Sequence, residues 1–172
     1  PNNIKLSKLY IFKLKDYLNY SIRDFQILGG HITSLISFYR EEKVGIYPDG
    51  IVSKKVSFVN GISEMLIGSL LASYKFEKYK KINDKKNQTK KVSKIKIYSS
   101  SYSRLEKNYI NVLAVSEGVT LTRNLVTEPP NVMTPPEIAR NAASLEKLGV
   151  EIKILGEKEM KKLGMGSLLG VG

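Results

Sequence analysis

With 172 residues, 42% hydrophobic and 26% charged, the chain is sized for one domain or one and a fraction, with a real core rather than disorder. It has no cysteine, which excludes a disulfide framework and every zinc site built on thiolates. No stretch approaches the roughly 20 apolar residues of a membrane span, and the net charge of +12 favours anionic partners.

The first residues, Pro1 to Lys8, are polar and basic and lead into Leu9-Tyr10-Ile11-Phe12. That run has strand length and is too short for a signal-peptide core of about 7–15 apolar residues. A start on Pro rather than Met suggests a fragment or a processed product. Ile22, Phe25, Ile32, Leu35, Ile36 and Tyr39 then recur at helical steps and share one face. Gly29-Gly30 interrupts this helix, and close packing of another backbone is the expected reason. Lys43 to Tyr47 reads as a strand stopped by the turn signal Pro48-Asp49-Gly50. Ile51 to Val59 alternates weakly, as a loop or a further strand. Asn60 is a candidate N-cap for a helix that is apolar nearly all round, from Ile62 to Tyr74, and so belongs in an interior.

Lys80 to Lys91 reads as a polar loop, and Val92 to Tyr98 as a strand with one wet face. Ser103 and Glu106 form a capping-box pattern for a helix running to about Val126, with Leu105, Tyr109, Val112, Leu113, Ser116 and Thr120 on one stripe. Glu128-Pro129-Pro130 cannot continue it. Thr134-Pro135-Pro136-Glu137 is a second capping-box pattern, for a helix ending near Leu148-Gly149. Val150 to Ile154 alternates as a strand, Glu157 to Leu163 is a short helix closed by Gly164, and Ser167 to Gly172 starts another apolar strand. The alternation of strands and helices predicts an α/β fold with a largely parallel or mixed sheet. A soft boundary falls at Thr127 to Met133.

The chain offers little for chemistry. His31 is the only histidine, lies in a helical pattern, and reads as a partly exposed structural residue rather than a ligand. A Ser-His-Asp or Cys-His set lacks parts, and no His-Glu-x-x-His or phosphate-loop motif is present. Gly164, Gly166, Gly170 and Gly172 lack dinucleotide-binding spacing. Catalytic, cofactor-binding and metal-ligating residues are therefore assigned to none.

Ten lysines fall between Lys75 and Lys96, against Glu77 and Asp84. Such a run attracts nucleic acid through counterion release, but a solvated lysine loop needs no ligand. Tyr74, Phe76 and Tyr79 sit at helical spacing and read as packing residues rather than a stacking platform. The expectation is weak, non-specific, salt-sensitive binding through Lys75, Lys78, Lys80, Lys81, Lys85, Lys86, Lys90 and Lys91.

Three segments carry a resemblance. Thr122-Arg123-Asn124-Leu125-Val126-Thr127-Glu128-Pro129-Pro130-Asn131-Val132-Met133-Thr134-Pro135 is similar to the Arg-Asp-Leu-x-Asn-Glu-Pro-x-Asn-x-x-Thr-Pro segment of leucyl (cytosol) aminopeptidases. Glu157 to Gly172 resembles the segment leading into their catalytic domain, and Leu70 to Lys80 resembles the end of an N-terminal-domain helix. Thr127 and Asn124 depart from the family's usual Asn and Asp, and Lys13-Leu14-Lys15 stands where relatives often have a Gly-x-Gly turn.

The resemblance implies a macro-domain-like α/β layered sheet with helices on its faces over 1–126, its first strands missing. A linker and helix follow over 127–149, then the truncated start of a second, catalytic α/β domain over 150–172. It implies a cytoplasmic parent, usually a hexamer, that removes N-terminal residues from peptides with two divalent metals, zinc, manganese or magnesium. Family ligands are carboxylates plus a lysine, all downstream of Gly172, so this segment is expected to serve domain structure and assembly and to be inactive alone. The competing expectation is a freestanding basic module for nucleic acid or an ADP-ribose-like ligand, although a glycine-rich phosphate loop is missing.

Overall fold

The computed structural model describes residues 8–80 and 94–171. The chain divides into two compact units, residues 1–120 and 121–172. It is a mixed α/β structure, mostly helical, with a small two-stranded parallel sheet among the described residues.

In the first unit, a 3-10 turn at Tyr17–Asn19 precedes helix α1, Ile22–Phe38. Ser21 caps α1: its hydroxyl accepts from the Asp24 N–H, and the Asp24 carboxylate accepts from the Ser21 N–H at 2.8 Å. Phe25, Leu28, Ile32 and Ile36 of α1 are buried on one face. Strand β1, Lys43–Ile46, follows, then helix α2, Phe58–Ser73, and strand β2, Lys94–Ile97. β1 and β2 pair in parallel, with Val44 opposite Ile95 and Ile46 opposite Ile97. These four side chains pack on the core formed by Leu28, Ile32, Ile36, Ile62, Met65 and Leu105. Burial of each large apolar side chain of this cluster is worth roughly 1.5–3 kcal/mol.

Helix α2 is buried on most sides, as an all-apolar pattern requires, from Gly61 to Ser69. Its contact with α1 explains Gly29. A Cβ there would overlap the Met65 carbonyl oxygen and lie 2.9 Å from the Ser69 nitrogen. Gly30 has no such need: a Cβ would meet only Ala72, at 3.9 Å. The crossing is sealed by Ser69, whose hydroxyl lies 3.1 Å from the Gly29 carbonyl oxygen, and by Thr33, which donates to the Ser69 carbonyl. Helix α3, Tyr102–Thr127, joins through Leu105 and through Asn108, whose amide donates to the Ser63 hydroxyl at 2.7 Å. Of its expected stripe, Leu105, Val112 and Ser116 are buried, whereas Tyr109 is 44% exposed.

The second unit begins within α3. It continues with α4, Pro135–Ala143, a 3-10 turn Ser144–Leu148 closed by left-handed Gly149, α5, Glu157–Lys162, and α6, Gly166–Leu169. Among its described residues none is buried.

Several sequence-based expectations are corrected. Leu9 to Phe12 and Val150 to Ile154 are not strands, because no neighbouring strand supplies a ladder among the described residues. Ser167 to Val171 holds a helical turn instead of a strand: Leu169 and Gly170 N–H groups bond back to Met165 and Gly166. Asn60 is not the cap of α2. Ser57 is, accepting from the Asn60 N–H, and the helix starts early enough for Phe58 and Val59 to reach the core. Ser103 lies inside α3 rather than capping it, since the Leu105 N–H already bonds to the Ser101 carbonyl. Thr134 is the N-cap of α4 with Pro135 next, but its side chain makes no capping bond. Ile51 to Val56 is a loop. Tyr74 ends α2, so Phe76 and Tyr79 are not on a helix; their rings pair at 5.8 Å. The expected loop at Lys80 to Lys91 lies outside the described residues from Lys81 on.

Candidate functional site

Catalysis needs acids, bases or ligands that converge, and the described residues bring none together. No group of three or more His, Asp or Glu side chains among them could hold a metal ion. His31 lies exposed on α1, with no hydrogen-bond partner among the described residues. It lines a depression of about 480 Å3 with Phe12, Lys13, Leu14, Tyr20 and Asp24. The one carboxylate there is already committed: the Ser21 hydroxyl, then the Ser21 N–H, hold the Asp24 carboxyl below the usual carboxylate range. A second depression, of about 610 Å3, lies at the start of α1 and is lined by Arg23, Gln26 and Lys55. It offers two cations but no nucleophile paired with a base.

The other polar clusters act as fasteners. The Asp49 carboxylate accepts from the Ser99 hydroxyl at 2.5 Å and the Ser100 N–H at 2.8 Å, tying the turn after β1 to the turn after β2. Ser99, then Ser100, keep the Asp49 carboxyl low. Glu41 accepts from Lys8 at 2.6 Å and Tyr10 at 3.1 Å, which pins the segment before α1 to the loop after it. Its carboxyl is likewise lowered, chiefly by Lys8.

Of the lysines expected to meet nucleic acid, Lys75, Lys78 and Lys80 are exposed around the end of α2. Lys81, Lys85, Lys86, Lys90 and Lys91 lie outside the described residues. Among the described residues no helix is long and apolar enough to cross a membrane.

The segment Thr122 to Pro135 forms a defined corner. Thr127 ends α3 with its hydroxyl donating to the Arg123 carbonyl at 2.6 Å, a bond within the helix. The Val132 and Met133 N–H groups both bond to the Pro129 carbonyl, and the chain turns into α4. Residues 120–172 match the family model of the cytosol aminopeptidase family, catalytic domain. A probable cytosol aminopeptidase of Rhizobium leguminosarum is 34% identical over 172 residues, 99% of this chain and 34% of the relative. One of Brucella anthropi is 48% identical over 111 residues, 63% of this chain and 22% of the relative, and one of Brucella suis is 46% identical over 110 residues. The chain spans about a third or less of the length of these relatives, and it is related to the cytosol aminopeptidases.

Proposed function

We propose that this chain is the N-terminal part of a metal-dependent leucyl aminopeptidase of the cytoplasm, a hexamer that removes N-terminal amino acids from peptides. In this reading residues 1–126 are a macro-like domain, residues 127–149 a linker and helix, and residues 150–172 the start of the catalytic domain. The observation that carries it is the order of the matches: relatives align along the whole chain, and the catalytic-domain match falls at its end, over 120–172. In the whole protein two divalent metals would activate a water and polarise the peptide carbonyl. The described residues do not fit that pair, because they assemble no set of three metal-binding side chains. No step of the reaction is therefore assigned to them, and their role is domain structure and subunit assembly.

The test compares the 172-residue chain with the same chain extended by its natural downstream reading frame. Hydrolysis of a leucyl anilide is measured with added manganese or zinc. Activity is expected from the extended protein alone. Metal-dependent release by the 172-residue chain, or an inactive extended protein that folds and binds metal, would overturn the reading.

A further inference from the structure

The segment ahead of α1 is tied down at two points. At the first, the Glu41 carboxylate accepts from Lys8 and Tyr10, and the Tyr10 ring lies 5.0 Å from that of Tyr39. At the second, Leu14 packs against the core. Phe12 and Lys13 are strapped between these anchors, and with Leu14 they wall one side of the depression of about 480 Å3. The facing wall is a stripe of α1, with Ile27, Leu28, His31 and Leu35 at helical steps on one face. From Asp24 to Leu35 this stripe runs roughly 16 Å, at about 1.5 Å per residue. The depression is therefore a groove, and its volume falls in the range of about 300–1,000 Å3 that holds small molecules. Ile27 and Leu35 are 45% and 39% exposed, so apolar surface lies uncovered along it. Its polar groups are unequal. The one carboxylate, Asp24, already accepts from the Ser21 N–H and hydroxyl, whereas the side chains of Lys13 and His31 have no partner among the described residues.

We propose that this groove binds a medium-chain fatty acid, with the carboxylate on Lys13 and His31 and the chain laid along Phe12, Leu14, Ile27 and Leu35. Charge complementarity selects the head group: the donors left over are a lysine ammonium and an imidazole N–H, which suit a carboxylate. The apolar walls select the tail, because a polar chain would lose water there and find no partners. The length of the helical stripe favours one extended chain over a compact ring. A free amino acid fits less well, since its ammonium would meet a carboxylate already held by two donors. Both walls belong to the first unit, and the site does not depend on the peptidase reading. Glu41 touches no ligand in this arrangement; it positions the strap that carries Phe12 and Lys13.

His31 is the only histidine, so its imidazole C–H signals in the proton NMR spectrum of the whole chain report on the groove directly. The experiment titrates decanoate, kept monomeric, and compares it with decanol, leucine and phosphatidylserine vesicles. A saturable shift with decanoate is expected, with decanol about tenfold weaker, as loss of a charge-assisted hydrogen bond implies. Lys13→Gln should weaken decanoate by a similar factor, and Lys13→Arg should retain it. Leu35→Asn should weaken decanoate and decanol alike, with an unchanged circular dichroism spectrum as the check on folding. Glu41→Gln should weaken both ligands several-fold, because a loosened strap lowers the fraction of molecules with the groove formed. The proposal is overturned by the lack of a saturable shift at millimolar decanoate, by equal affinity for decanol, or by indifference to Lys13→Gln or to Glu41→Gln. Movement of the His31 signals by leucine or by vesicles in place of decanoate also overturns it.

Discussion

Gly29 of α1 and Gly68 of α2 face reciprocal backbones: a Cβ on Gly29 would overlap the Met65 carbonyl, and a Cβ on Gly68 would overlap the Gln26 carbonyl. The obstacle is main chain in both cases, so neither site can adapt by a rotamer change. Gly29→Ala and Gly68→Ala should each destabilise the fold by about 1–3 kcal/mol or more, as overpacking does. Gly118→Ala on α3 meets open space and should stabilise by up to about 1 kcal/mol through helix propensity. Urea midpoints of the three variants check this. A neutral Gly29→Ala would mean that α1 and α2 do not cross there.

The same pair shows how much of the fold was legible. Helical spacing located α1 and α2, and two glycines inside a helical pattern pointed to a close backbone neighbour. Only the structure assigns that role to Gly29 rather than Gly30, because register against α2 is not written in α1. Strand prediction succeeded where a partner exists, Lys43–Ile46 beside Lys94–Ile97. It failed at Leu9–Phe12, Val150–Ile154 and Ser167–Val171, where apolar alternation has no partner to pair with among the described residues. Cap identity failed for a local reason: Ser57 and Asn60 are both good caps, and burial of Phe58 and Val59 decides between them. For the site, the sequence offered no converging catalytic set, and the register of Lys43–Ile46 against Lys94–Ile97 was hidden because it joins residues some 50 positions apart.

Arg40 occupies a position that suits glycine. Its φ is 56°, and it sits just past α1, where the Arg40 N–H bonds to Ser37 and the Glu41 N–H to Ile36. This is the paired bonding of a Schellman C-cap. A side chain there costs about 1–2 kcal/mol relative to glycine, and glycine's looser unfolded state cancels part of the gain. Arg40→Gly should therefore raise stability by up to about 1 kcal/mol, while Arg40→Val should lower it. A drop in thermal midpoint for Arg40→Gly would show that the guanidinium carries a contact that outweighs the strain.

Three carboxylates contribute to the acid limb of stability. Asp24, Asp49 and Glu41 are all held below the usual range by hydrogen bonds that the unfolded chain lacks. A depressed folded-state pKa contributes stability above the unfolded value, near 4, and loses it as pH falls through the folded value. The urea midpoint should fall as pH drops below about 4. Asp49→Asn should blunt that fall, because it removes the carboxylate that joins the turns after β1 and β2. Lys8 works on the opposite limb: Glu41 raises its pKa, so its contribution is present at neutral pH and fades only as pH rises past about 10. An acid limb unchanged in Asp24→Asn and Asp49→Asn alike would assign acid unfolding to other groups.

The second unit should be the less protected one. Among its described residues no side chain is buried, although Ile138, Leu148, Ile154, Leu163, Leu168 and Val171 are large, apolar and 52–89% exposed. Its helices α5 and α6 have only six and four residues, far below the length at which an isolated helix holds in water. Such segments open at low cost unless a tertiary face covers them, because each exposed apolar side chain forgoes about 1.5–3 kcal/mol of burial. In the first unit, by contrast, Phe25, Ile62, Met65 and Val112 are at most 1% exposed, and the helices that carry them should exchange only by larger openings. Amide hydrogen exchange on the dilute, monodisperse chain is therefore expected to show fast exchange beyond about Thr127 and slow exchange in α1 and α2. The same amides should slow in a protein extended by its downstream reading frame, if that frame supplies the covering face. Strong protection from Ile138 to Val171 in a confirmed monomer of the 172-residue chain would mean that this segment already finds its partner within it.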